Sequence, residues 1–382
     1  MSLLSRSVSA LAALLASVGL SACQPQYPEP AFHATENPPL LSQWGQVERR
    51  GAHLVLGRNV QPYDLNSGLF TDDALKLRTV WMPAGLSARY RTEDVLDFPV
   101  GTVITKTFYY TRAGQDDDHH VRVDVADTVG LQAEGLDLSE VRLLETRILV
   151  HRETGWAALP YRWNADQSEA RLHRIGDIIP LTLTEADGTL TEFHYVMPDA
   201  NQCASCHAPD SNTRIINPIG PKPRHLNRNF PYRDGVANQL SHLAALGWLD
   251  GLPGAFDMIP QNAVWTDTGA SLEDRARAYL DINCSHCHSP VGPADTSGLF
   301  LTPDTPHGPS LGLCKLPIAA GGGTGNRPYD ITPGEPDLSI LVYRMDSIHA
   351  DEMMPEIGRS TVDEAGVALV RDWIESLDGT CG

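Results

Sequence analysis

The chain has 382 residues, 42% of them hydrophobic and 20% charged, which is globular composition with enough length for two or three domains. Its 48 acidic residues outnumber 29 basic ones, and the formal net charge of −19 repels phosphate backbones. With no basic run to offset that charge, nucleic-acid binding is excluded.

The amino terminus reads as a processing segment rather than as fold. Arg6 supplies a positive start, and residues 10–20 are an apolar, small-residue run too short to span a bilayer. The run ends in Leu20-Ser21-Ala22-Cys23, which resembles a bacterial lipobox. That resemblance implies removal of residues 1–22 and acylation of Cys23, whose chains would anchor the protein at roughly 0.8 kcal/mol per buried methylene. Gln24, by analogy with enterobacterial sorting, directs the lipoprotein to the outer membrane, facing the periplasm or the surface. Residues 23–39 carry five prolines and read as a tether.

Residues 40–200 have the punctuation of a β-rich domain. Residues 103–110 (VITKTFYY), 143–151 (LLETRILVH) and 156–163 are β-branched and aromatic runs of strand length. Residues 179–184 and 189–196 flank Asp187-Gly188, a hairpin signal because both turn positions tolerate positive φ. Antiparallel strands closing into a sandwich-like or curled sheet are the expectation. The acidic run Asp116-Asp117-Asp118, continued by His119-His120, reads as a solvated loop.

The chemistry begins at Cys203. Cys203-Ala204-Ser205-Cys206-His207 and Cys284-Ser285-His286-Cys287-His288 are both C-x-x-C-H, the attachment pattern of c-type haem. Two thiols three residues apart reach two vinyl groups of one porphyrin, and the next residue brings an imidazole to the iron. The spacing therefore predicts two covalently bound haem c groups, with His207 and His288 as proximal iron ligands. A zinc ribbon would bring its two pairs closer together and would not need the following histidines. Cys314 and Cys381 are left over, and in an oxidising compartment two such thiols pair, tying the loop after the second motif to the carboxyl terminus.

Residues 271–377 resemble a class I cytochrome c domain along their whole length. Ser271-Leu272-Glu273-Asp274 starts a helix that delivers Cys284 at its end, and residues 361–364 (TVDE) cap a last helix with Val370, Trp373, Ile374 and Leu377 on one face. The resemblance implies that these two helices cross, with Tyr279 and Trp373 at the crossing. It also implies a distal methionine followed by proline, which selects Met354 over its neighbour Met353 and over Met345. A Gly/Pro-rich insert, residues 302–334, departs from the smallest members of that family. The first motif has no such Met-Pro downstream, and His225, Met258, Lys222 and Met197 stand as alternative distal ligands beside an open iron.

The stretches YDLNSGLFTDDALK (63–76), FPVGTVITKTFY (98–109), ETRIL (145–149) and YRWNAD (161–166), with both haem motifs, resemble a group of exported bacterial dihaem c-type cytochromes that carry an amino-terminal β-rich domain. The expected architecture is multidomain α+β: a β-sandwich-like domain at 40–200, a first haem region at 201–268 and a class I-like domain at 269–382. Two functions fit. One is an envelope-anchored electron carrier whose acidic surface docks redox partner proteins through their basic faces. The other is a dihaem oxidoreductase in which an open first haem acts on peroxide or a small substrate; the sixth ligand of that haem separates the two.

Overall fold

Segments rich in β-branched and aromatic residues supply the longest strands: Leu75–Trp81, Val103–Arg112, Val141–Arg152, Gly155–Trp163, Asp177–Thr184 and Leu190–Met197. In the computed structural model, which describes residues 27–114, 119–123, 131–132, 135–318 and 320–382, these belong to one nine-stranded sheet. Its path runs Ala170–Leu172, Gly155–Trp163, Val141–Arg152, Val103–Arg112, His120–Arg122, Asp177–Thr184, Leu190–Met197. Leu75–Trp81 also pairs with Val103–Arg112 and carries Gln61–Tyr63 outside it. All pairs are antiparallel except His120–Arg122 with Asp177–Thr184. The sheet curls as a half-barrel, and a small four-stranded sheet that includes Val47–Arg50 and His53–Leu56 stands apart from it in pairing. The hairpin of Asp177–Thr184 and Leu190–Met197 turns where expected, with Gly188 at φ 88° and the Glu185 amide donating to the Thr189 carbonyl at 2.8 Å.

The two faces of the sheet bury different partners. Val103, Tyr109, Ile148 and Tyr161 share a core with Leu41 and Trp44. On the other face, Val80, Ile104 and Leu149 pack with Leu226, Leu240 and Ile282 from the later, more helical part of the chain. Further along that second face, Phe108, Leu144 and Tyr195 form another apolar cluster. Between these two clusters runs a rung of basic residues. Lys106 is the cross-strand partner of Arg78 on one side and of Arg147 on the other, so the three side chains project from the same face.

The later part of the chain contains six α-helices among the described residues: α1 (Cys203–His207), α2 (Pro223–Leu226), α3 (Gln239–Ala245), α4 (Leu272–Cys284), α5 (Ile340–Met345) and α6 (Glu364–Glu375). The architecture is thus a β-rich amino-terminal region followed by a more helical one. The starts of α4 and α6 have the expected caps: Ser271 Oγ accepts from the Asp274 amide at 3.0 Å, and Asp363 Oδ1 from the Gly366 amide at 2.8 Å. These helices pack on each other. The Tyr279 hydroxyl donates to Asp363 Oδ2 at 2.8 Å, the Trp373 indole donates to Glu273, and Gly366 lies so close to the Tyr279 ring that a Cβ there would clash. Cys314 and Cys381 are joined by a disulfide, their Cα atoms 5.2 Å apart.

One expectation needs correcting. The proline-rich segment read as a tether is, from Tyr27 onward, laid against the β-rich region. The Ala31 amide donates to the Trp44 carbonyl at 3.0 Å, and Phe32 packs on the core. Arg152 donates to the carbonyls of His33 and Glu36, and the Tyr161 hydroxyl to that of Pro38. Prolines pre-set an extended backbone whose carbonyls are free to accept, so side chains of the sheet hold it without a ladder. Cys23 and residues 1–22 lie outside the described residues, as do Asp116, Asp117 and Asp118.

Candidate functional site

Each C-x-x-C-H occupies a single helical turn. Cys203 to His207 is the whole of α1, entered from the strand Leu190–Met197 through Asp199, whose Oδ1 accepts from the Asn201 and Gln202 amides at 2.7 and 2.9 Å. The second motif continues α4 past Cys284: the amides of Cys287 and His288 both donate to the Cys284 carbonyl, at 3.1 and 2.9 Å. The helical turn brings the paired thiols to one side, since three residues is nearly one turn. None of these four sulfurs is in a disulfide.

The two turns touch. Cys287 Sγ lies 3.6 Å from the Ser205 carbonyl oxygen. Around them are two cavities that share a wall, because Cys206 and Ile357 border both. The larger, about 690 Å³, is bordered by Cys284, Cys287, His288, Met345 and Met354. That volume falls in the range of roughly 300–1,000 Å³ common for cofactor sites. The smaller, about 120 Å³, holds Cys203, Cys206 and His207 against the basic rung of Arg78, Lys106 and Arg147. It is narrower than a usual cofactor site, and part of its wall is made of these long side chains.

Of the terminal histidines of the motifs, His207 suits a metal at Nε2. His207 Nδ1 is 3.0 Å from the Asn217 carbonyl, which holds the proton on Nδ1 and leaves the Nε2 lone pair free. Burial, then the Lys106 ammonium, push this imidazole down to about 3. His288 is pushed down to about 4 by burial, and its buried Nδ1 has no hydrogen-bond partner among the described residues. Burial also raises the Cys284 and Cys287 thiols to about 12, and those of Cys203 and Cys206 upward. Among the described residues no group of three or more His, Cys, Asp and Glu converges on a bare metal ion. Two thiols and one imidazole on a turn instead suit a ring fastened at two points with a metal at its centre.

The distal candidates fare differently. Met354 and Met345 both border the larger cavity, and Met353 does not. None of His225, Met258, Lys222 and Met197 borders the smaller one. His225 is buried beside Asp281, which Arg224 grips in a two-point ion pair of 2.6 and 3.0 Å. Met258 is 70% exposed, and Met197 sits in the core formed with the last hairpin. Lys222 lies near Asp281 and Asp94. In their place the cavity holds Lys106, which sequence reading passed over. Its signal was a lysine at the centre of a strand, VITKTFYY, whose neighbours are all fit for burial. Burial, then the charges of Arg147 and Arg78, bring its amine down to about 7. His286, inside the second motif, was also passed over; it borders the larger cavity and burial pulls it to about 4.

No protein-family model matches the chain, and neither do any curated protein or any solved structure.

Proposed function

We propose that the chain is an exported dihaem c-type cytochrome that passes electrons between redox partner proteins. The observation that carries this reading is the abutment of the two C-x-x-C-H turns, with Cys206 bordering both cavities and Cys287 against Ser205. Two groups fastened to these turns would be neighbours, which is what a relay of electrons along one chain requires. The donor sets fit the group: each cavity has two thiols outside any disulfide and the imidazole of its motif, and on His207 the Nε2 is left free. Cys203 and Cys206 would hold the first haem, with His207 on its iron. Cys284 and Cys287 would hold the second, with His288 and Met354 on its iron, in a domain like that of class I cytochromes c. Bound there, each haem supplies a one-electron couple between ferric and ferrous iron.

The protein's part is binding, orientation and exclusion of water. The Asn217 carbonyl orients His207, and Arg359 ties the Met354 carbonyl to that of Ser347, at 2.9 and 2.8 Å, which steadies the loop carrying the thioether. A thioether favours ferrous iron and raises the potential of the haem it serves. The acylated Cys23 would hold this relay at the outer membrane, and its acidic surface would meet basic partners. The test is covalent stoichiometry. An alkaline pyridine haemochrome assay on protein matured in a c-type host should count two haems per chain, and Cys206→Ser or Cys287→Ser should disrupt one each. Zinc in place of haem, or haem that extracts into acidic acetone, would overturn the reading.

A further inference from the structure

We propose that Lys106 is the sixth ligand of the first haem iron, the one held by His207. The inference rests on the dihaem reading and adds to it the missing ligand. The argument is one of placement. A ligand to this iron must border the cavity that Cys203, Cys206 and His207 border, and the four residues first in view from the sequence do not. Of the side chains that do, Arg78 and Arg147 carry guanidinium groups, which stay protonated and offer no lone pair. Tyr63 is a phenol that burial raises to about 12, so it keeps its proton. Lys106 remains as the strong neutral donor among the described residues, once its amine has lost its proton.

Its surroundings favour that loss. Arg78 is matched by Asp64 at 2.5 Å, and Arg147 by both oxygens of Glu145 at 2.5 and 2.9 Å. Lys106 lies between them in register, yet no carboxylate among the described residues stands within ion-pair distance of it. Its Nζ is held instead 5.1 Å from the centre of the Phe108 ring, beside Arg147 at 4.3 Å from the same ring. An ammonium in that position has no carboxylate partner among the described residues, whereas a neutral amine on a metal is a satisfied group.

The experiment uses the full chain carrying both haems, counted first by pyridine haemochrome. Electron paramagnetic resonance of the ferric protein should find both haems low-spin, and the ferrous protein should take up no carbon monoxide at the first iron. Lys106→Ala should turn one haem of the two high-spin and bind about one carbon monoxide per chain. Lys106→Arg, which supplies a fixed cation but cannot coordinate, should do the same. Lys106→Met, near in length and able to ligate through sulfur, should stay low-spin while one potential rises; it serves if the alanine variant folds poorly. Carbon monoxide binding by the unaltered first haem would overturn the proposal and favour the small-substrate oxidoreductase, with the dihaem reading intact. A low-spin Lys106→Arg would equally overturn it, since charge and not ligation would then be the role. A chain with no haem at Cys203 and Cys206 would instead defeat the dihaem reading itself, and this ligand with it.

Discussion

At the scale of single residues, two methionines reach the larger cavity and only their backbone settings tell them apart. Met345 ends α5 and is 6% exposed in the core with Tyr279, Leu341 and Trp373, the setting of a side chain that fills space. Met354 is outside that core, on a loop pinned from both ends: its amide donates to the Arg344 carbonyl at 2.8 Å and its carbonyl accepts from Arg359. A ligand needs a fixed backbone and a side chain free to reach a metal, and Met354 has both. Oxidised protein should therefore show the weak long-wavelength charge-transfer band of sulfur on ferric haem. Met354→His should abolish it and lower one potential, because imidazole donates more strongly to ferric iron. Met353→Leu should leave both unchanged, and Met345→Leu should cost less than about 1.5 kcal/mol of stability with the band intact. A band that persists in Met354→His would select Met345. Lys106 and Met354 differ in legibility for a physical reason. A methionine before a proline is a local pattern, whereas the meaning of a strand lysine depends on what its neighbours across the sheet leave uncompensated.

At the scale of elements, the β-rich region and α6 are joined through the turn before Leu75–Trp81. Asp72 accepts from the amides of Ser360 and Thr361 at 2.7 and 2.8 Å and from both their hydroxyls. Its neighbour Asp73, with φ 58°, makes no such bonds among the described residues. Burial first, then the Asp363 carboxylate, raise it to about 7; Glu185 and Asp72 add to this, and Lys76 opposes it. The native state thus binds a proton that the unfolded chain, with a carboxyl near 3.9, has already lost. Stability must then fall as pH rises from about 4 to about 7, by at most about 1.4 kcal/mol per unit from this group. Asp73→Asn cannot ionise, so its Tm should exceed that of the unaltered protein at pH 8 by more than at pH 5. An advantage that shrinks as pH rises would refute this. The strands and helix caps on either side of this joint were legible, because alternation and Ser or Asp capping act within a few residues. The joint itself was not, since Asp72 and Thr361 are far apart in the chain and only the folded sheet brings them together. The buried Arg224–Asp281 pair was invisible for the same reason. His225 therefore looked available when Asp281 and Arg224 already surrounded it.

At the scale of the whole molecule, the correction at the amino terminus changes how the protein would sit on a membrane if Cys23 is acylated as proposed. Five prolines suggested a free tether, but the chain is bound from Tyr27, whose hydroxyl meets Arg233 and whose neighbour Pro28 accepts from the Arg58 amide at 2.7 Å. Between an acylated Cys23 and Tyr27 lie four steps of chain, which span at most roughly 14 Å when extended. The amino-terminal edge of the β-rich region would then ride close to the lipid surface rather than swing away from it. Among the described residues no helix is long and apolar enough to cross a membrane, so within them nothing of that kind replaces the acyl chains. Cys23→Ser, exported through the same apparatus, should move the protein from the membrane to the soluble fraction with both proposed haems in place, since the two cavities are lined by later residues. Insertion of a long Gly-Ser segment after Gln24 should keep the protein on the membrane and slow its electron exchange with membrane-bound partners. A Cys23→Ser protein that still sediments with membranes, without acylation, would place the attachment elsewhere on the molecule.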